Sequence, residues 1–186
     1  MNTVTPELDR RFRDAAAAAG LLDVAYDVVD SPLGPLLVAV SERGLCKIAF
    51  DPDGQLEPLA RSYGRRVLRS ARPVDPVRRQ LDEYFEGTRH EFELPLDLTV
   101  GEFYAQVLGE LARVPYGETT TYGALAARTG HPKGARAIGT VMHNNPVPIV
   151  LPCHRVIGSN GSLTGYGGGL PAKRFLLELE RGGTLF

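Results

Sequence analysis

The chain has 186 residues, of which 43% are hydrophobic and 23% charged, and a formal net charge of −1. That is apolar material enough for one ordinary domain or two small ones, and it argues for a soluble globular chain over a disordered one. No run approaches the roughly 20 uninterrupted apolar residues of a membrane span, and residues 1–13 are polar and charged where a secretory signal has an apolar core. No membrane partner is therefore expected, and the expected compartment is the cytoplasm. Residues 15–19, apolar between Asp14 and Gly20, read as a short N-terminal helix. Residues 24–30, 36–40 and 45–50 are β-branched and aromatic runs separated by Ser31-Pro32-Leu33-Gly34 and Ser41-Glu42-Arg43-Gly44, the pattern of an antiparallel meander. Residues 56–65 and 76–85 have helical spacing, with Leu81, Tyr84 and Phe85 on one face and Gly87 as the stop. Residues 90–98 alternate like one further strand. This stretch is a small α/β unit without a chemical motif, and its expected role is scaffold.

A second part begins near Thr99. Phe103, Val107, Leu108, Leu111 and Val114 repeat at helical spacing until Pro115-Tyr116-Gly117. Thr119–Thr121 offer N-caps for a short helix over 122–128. The turn Thr129-Gly130-His131-Pro132 follows, and Lys133-Gly134-Ala135-Arg136 opens another helix to about His143. Two short helices across a glycine-containing turn make a helix-turn-helix signature, which DNA-binding proteins and plain helical cores share. The divisions expected are thus an extension over 1–23, an α/β domain over 24–98 and a mostly α-helical domain over 99–186. Charge follows them: residues 1–100 carry −4 and residues 101–186 carry +3. Between Ala112 and Phe175 seven bases face one acid, a local excess of the kind phosphate binding needs and whole-chain charge hides.

The chemistry lies in the run from Asn144 to Gly158. Three prolines rule out a helix there, residues 149–151 read as a short buried strand, and Pro152 ends it. Cys153 thus sits at a rigid break, beside His154 and Arg155, a base and a positive charge that can lower a thiol pKa. The only other cysteine, Cys46, lies in an apolar strand and reads as inert. Two thiols make no disulfide framework, and without Cys-x-x-Cys or His-x-x-x-His spacing no metal site is expected.

Pro152-Cys153-His154-Arg155-Val156 resembles the active-site signature of the O6-alkylguanine-DNA alkyltransferases, densely over 101–180 and more loosely over 24–98. The resemblance implies a ribonuclease-H-like α/β domain ahead of a helix-turn-helix domain. It also implies irreversible, stoichiometric transfer of an alkyl group from O6-alkylguanine, and from O4-alkylthymine, to Cys153, with double-stranded DNA as partner and no cofactor. By the same resemblance Glu180 buttresses His154, which acts on Cys153 through a water. Asn145 forms the hinge before the site, and Tyr122 assists the leaving base. Arg136 is the finger that fills the duplex when the damaged base is rotated out. Ala135, Lys133, Thr121 and Arg155 are candidates for DNA contact. Val156, Tyr166, Gly167 and Gly168 join Tyr122 in walling the alkyl pocket. A monomer is expected, with side-by-side binding on DNA left open.

Two departures from the family pattern stand out. The N-terminal zinc site of some members has no ligand set here, since only Cys46 and His90 are available. Others place a serine where this chain has Gly167. Three rival readings stay in view at this point: a DNA-binding relative that accepts no alkyl group, a cysteine hydrolase, and a simple helix-turn-helix regulator.

Overall fold

The computed structural model describes residues 5–182 and divides them into two compact units. The first runs up to Glu83 and takes in Glu93–Thr99; the second is Tyr84–Phe92 with residues from Val100 onward.

In the first unit, helix α1 (Pro6–Ala18) is started by Thr5, whose hydroxyl accepts the Leu8 N–H, with Pro6 in the first helical turn and Glu7 and Asp9 beside the dipole's positive end. Strands β1 (Val24–Val29), β2 (Leu36–Ser41) and β3 (Gly44–Ala49) form the expected antiparallel meander. After helix α2 (Leu56–Tyr63), strand β4 (Val67–Arg69) pairs in parallel with β1, so the sheet is mixed and ordered β3-β2-β1-β4. Val24, Leu37, Ala39, Cys46, Ala49 and Leu59 make a buried core, with Tyr26, Tyr63 and Val67 packed against it. Asp27 is buried in this unit and held by Arg69 Nε at 2.7 Å and Arg78 Nη2 at 2.6 Å.

Three expectations fail in this region, the first at α1, which starts at Pro6, nine residues ahead of the apolar run 15–19 expected to form it. Helix α3 spans Ala71–Phe85, five residues longer at its start than the run from Pro76 that the spacing suggested. Pro76 therefore lies inside it, where a missing N–H costs about 3 kcal/mol, and the apolar face has overridden that cost. The strand expected over 90–98 does not form. Pro95 has no N–H to give a ladder, and only Leu96 makes an isolated bridge to Leu45.

In the second unit, helix α4 (Glu102–Ala112) buries Val107, Leu108 and Leu111. Strand β5 (Thr120–Thr121) leads directly into helix α5 (Tyr122–Arg128), where the Thr121 hydroxyl accepts the Ala124 N–H at 3.1 Å. Helix α6 (Ala135–His143) follows and buries Ile138, Val141 and Met142, while α5 buries Leu125 and Ala126. Strand β6 (Val156–Ile157) pairs in parallel with β5, placing Thr120 opposite Val156 and Thr121 opposite Ile157. Helix α7 (Gly169–Glu180) ends this unit's described elements. Among the described residues no helix is long and apolar enough to cross a membrane.

Candidate active site

The segment before Cys153 is a turn and not the buried strand its composition suggested. The Leu151 N–H bonds back to the Val147 carbonyl at 2.9 Å, Pro148 and Leu151 form an isolated bridge, and Ile149 is held at φ 75°. A β-branched residue in that region is a genuine outlier and is found where surrounding structure over-determines it. Asn145 does part of that work. Its Nδ2 donates to the Leu151 carbonyl at 2.8 Å, and its Oδ1 accepts the Val147 N–H at 3.1 Å. Asn145 also pulls the Cys153 thiol down against the effect of burial, so one buried side chain spans the turn and bears on the thiol.

Cys153, His154 and Arg155 form a single 3-10 turn, all three buried. The turn sends His154 and Arg155 to one carboxylate, that of Glu180 on the last turn of α7. His154 Nε2 lies 2.8 Å from Glu180 Oε1. Arg155 gives Nη2 to Oε1 at 2.8 Å, Nε to Oε2 at 2.9 Å and Nη1 to the Val114 carbonyl at 2.6 Å. The Gly117 N–H donates to Oε2 at 3.1 Å, and the Tyr84 hydroxyl to Oε1 at 2.7 Å. At Gly117, with φ +76°, a Cβ would stand 3.0 Å from the Glu180 carbonyl oxygen, so only glycine brings its amide this close without strain.

These contacts settle the charges. Burial alone would raise the Glu180 carboxyl, but the hydrogen bonds from His154 and Arg155 outweigh it and hold the group at about 2. Burial lowers the His154 imidazole, which is neutral at neutral pH. An ionised carboxylate on Nε2 requires the ring proton there, which leaves Nδ1 as the basic nitrogen. Nδ1 is buried and has no hydrogen-bond partner among the described residues. The Cys153 thiol, expected to be lowered by its neighbours, is instead pushed up to about 11 by burial, against the opposing pull of Asn145 and Lys173. Arg155 cannot help it, because its charge is spent on Glu180. For the same reason the expected DNA contact by Arg155 is not available: the residue is 6% exposed and its donors are turned inward.

Two family models match consecutive stretches: the 6-O-methylguanine DNA methyltransferase ribonuclease-like domain over residues 24–98 and the DNA-binding domain of the same proteins over 102–182. The chain is 41% identical over 157 residues to the methylated-DNA–protein-cysteine methyltransferase of Methanosarcina acetivorans, covering 83% of this chain and 97% of that one. It belongs to the methylated-DNA–protein-cysteine methyltransferase family. The relative from Mycolicibacterium paratuberculosis is 43% identical over 158 residues, or 85% of this chain and 93% of that one. The crystal structure of the Mycobacterium tuberculosis O6-methylguanine methyltransferase superposes with a TM-score of 0.75 at 40% identity, covering 87% of this chain and 94% of that one. A second structure of the mycobacterial protein, in complex with DNA, gives 0.78 at 38% identity over 86% and 94%. A methylated-DNA–protein-cysteine methyltransferase repairs DNA by transferring an alkyl group to a cysteine of its own, with DNA as its partner.

For such a methyltransferase the remaining residues fall into two groups. Tyr122 is half-buried at the start of α5, and its hydroxyl accepts a hydrogen bond from Thr164 Oγ1 at 2.9 Å. The β5–β6 pairing sets it beside the strand that follows Cys153. Val156 is wholly buried, and the Tyr166 ring stands edge-on to His154 with centroids 6.3 Å apart. At Gly167 an added Cβ would meet nothing within 4 Å, while Gly168 precedes α7. Lys133 and Arg136 are exposed at the start of α6 with Ala135 between them, outside the Glu180 network. No group of three or more His, Cys, Asp or Glu among the described residues could hold a metal ion.

Three participants escaped the sequence. Tyr84 read as core, Gly117 as a helix stop, and Lys173 as one more surface base. Lys173 is wholly buried, with Nζ donating to the Val156 carbonyl at 2.6 Å and the Thr164 carbonyl at 3.0 Å. It ties the strand after Cys153 to the loop carrying Tyr166.

Proposed function

We propose that Cys153 accepts the alkyl group from O6 of guanine, or O4 of thymine, in DNA, and that His154, held by Glu180, is the base that frees its thiolate. The observation that carries this is the His154 ring, with Nε2 committed to an ionised carboxylate and Nδ1 left to take a proton. A thiol at about 11 is overwhelmingly protonated at rest. The thiolate is therefore made for the reaction and not stored. Its proton passes through a water to Nδ1. The sulfur attacks the alkyl carbon, the carbon–O6 bond breaks, and its electron pair leaves with guanine. Tyr122 hydrogen-bonds or protonates the departing base. Thr164 donates to the Tyr122 oxygen, which leaves the phenolic hydrogen free for that task. The thioether product has no leaving group, so each molecule acts once.

The base must leave the duplex to reach a buried thiol, at a cost of a few kcal/mol. Arg136 fills the space it vacates, Lys133 and the amides at the start of α6 hold phosphates, and small Ala135 and Thr121 permit close approach. Val156, Tyr166, Gly167 and Gly168 wall the alkyl pocket, and the open space at Gly167 accommodates groups larger than methyl. The reaction calls for no cofactor and no second protein, and a monomer in the cytoplasm suffices. The test is to mix the protein with a duplex carrying one O6-methylguanine and map the mass gain by peptide. A stoichiometric gain on the Cys153 peptide, lost in Cys153→Ser and kept in Cys46→Ser, is expected. Gain elsewhere, or turnover beyond one equivalent, overturns the assignment.

A further inference from the structure

Glu180 receives five hydrogen bonds, three of them on Oε1 from Tyr84, His154 and Arg155. Arg155 supplies the counter-charge, and the Gly117 amide fixes the carboxylate plane. Neither explains a phenol placed on the oxygen that already takes the histidine. Tyr84 is wholly buried at the end of α3, between Phe92 at 5.4 Å and Tyr116 at 6.1 Å between ring centroids. Its ring is caged, and its hydroxyl points at Glu180 Oε1 at 2.7 Å, with His154 Nε2 at 3.5 Å. Burial and the neighbouring carboxylate raise its phenol, so it stays a neutral donor at every working pH.

We propose that Tyr84 is a positioning residue for the transfer reaction: its hydroxyl shares Glu180 Oε1 with the His154 ring and so limits how strongly that carboxylate holds a proton on the imidazole. A carboxylate oxygen offers about two good acceptor directions, and here three donors divide it. Negative charge drawn toward the phenol is withheld from the imidazolium. Without Tyr84 the His154–Glu180 bond strengthens, the ring keeps a proton to higher pH, and Nδ1 loses its lone pair when the thiol needs it. The other groups that bear on the ring are Arg155 and Lys173, both of which disfavour its charged form, and Glu180, which favours it. Cys153 and Tyr166 lie nearby, and neither is ionised at neutral pH. Tyr84 is thus the neutral adjuster in a set of fixed charges. This rests on the reading of Cys153 as nucleophile and His154 as base.

The experiment uses Tyr84→Phe in the full chain, with two readouts. The transfer rate to duplex O6-methylguanine is followed against pH, and the His154 imidazole is titrated by NMR in the unreactive Cys153→Ser background, with and without Tyr84→Phe. The acid limb of the rate profile and the imidazole titration should both move to higher pH by about one unit, the scale of one charge-directed hydrogen bond. At pH values below the limb the rate should fall about tenfold while the high-pH plateau holds. A lower melting temperature with neither limb nor titration displaced would make Tyr84 mere packing and overturn the proposal. If Cys153→Ser still accepts alkyl groups, the nucleophile assignment fails, yet the NMR titration still decides on Tyr84. Should Tyr84→Phe not fold, 3,5-difluorotyrosine at position 84 keeps the shape with a stronger donor. It should move the imidazole titration to lower pH, and no movement overturns the proposal equally.

Discussion

At the scale of residues, the site is built around one carboxylate with more partners than it needs for structure alone. Glu180 sits at about 2, against 4.5 for a free carboxyl. A group lowered on folding contributes stability that is whole above its unfolded value and is lost as pH falls through its folded one. The contribution, on the order of 3 kcal/mol at neutral pH for a lowering of that size, should therefore fade as pH drops from about 4.5 toward 2. Glu180→Gln should remove it at neutral pH and leave Arg155 buried without a counter-charge. Urea unfolding of wild type and variant at pH 7 and pH 3 should show a gap that narrows on acidification, and a constant gap would mean that Glu180 contributes through packing. How much of this was legible is uneven. Cys153, His154 and Arg155 are contiguous, and their chemistry can be read from adjacency. Adjacency misled on direction, however: it suggested that the neighbours charge the thiol, whereas the 3-10 turn sends both to Glu180. Glu180 was reached only through family resemblance. Tyr84 and Gly117 join it from 96 and 63 positions away, separations that no local pattern reports.

At the scale of elements, the turn ahead of Cys153 shows two terms in conflict. Ile149 at φ 75° carries backbone strain of roughly 1–3 kcal/mol. Its side chain is wholly buried, and deleting a buried isoleucine down to Cβ alone costs about 2–5 kcal/mol. Ile149→Gly relieves the first and forfeits the second, and burial should win. The variant is expected to be less stable by about 1–2 kcal/mol in urea unfolding, with slower transfer because Cys153 is no longer held by a rigid turn. A more stable variant would show that strain outweighs packing. The apolar run over 149–151 could not reveal this turn, since a buried strand and a buried turn between prolines have the same composition. Strands β5 and β6, two residues each, are too short to carry periodicity, yet they set Tyr122 beside the strand after Cys153. The longer elements were legible because their repeats are: the meander, α4, and the pair α5 and α6 follow their spacing closely.

At the scale of the whole molecule, the basic excess between Ala112 and Phe175 shrinks once burial is known. Of its seven bases, Arg155 and Lys173 are buried and bonded inward, and Arg113 is paired with Glu110. Arg128, Lys133, Arg136 and Arg174 remain exposed. Binding to undamaged duplex should therefore lose affinity with salt at a log–log slope no steeper than about −4, since each neutralised phosphate contributes about −0.9. A slope near −6, roughly what seven contacts would give, would mean that Arg155 and Lys173 abandon their carbonyl and carboxylate partners on DNA. A sequence count cannot make this distinction, because a buried lysine and a surface lysine are the same letter. The placement of Glu180 and Lys173 on α7 also bears on how the protein is made. Every group they hold, at positions 84, 117, 154, 155, 156 and 164, precedes them in the chain. On the ribosome, Cys153 thus emerges well before the residues that close its surroundings. Nascent chains stalled short of α7 should leave that thiol open to alkylating reagents, and emergence and docking of α7 should seal it.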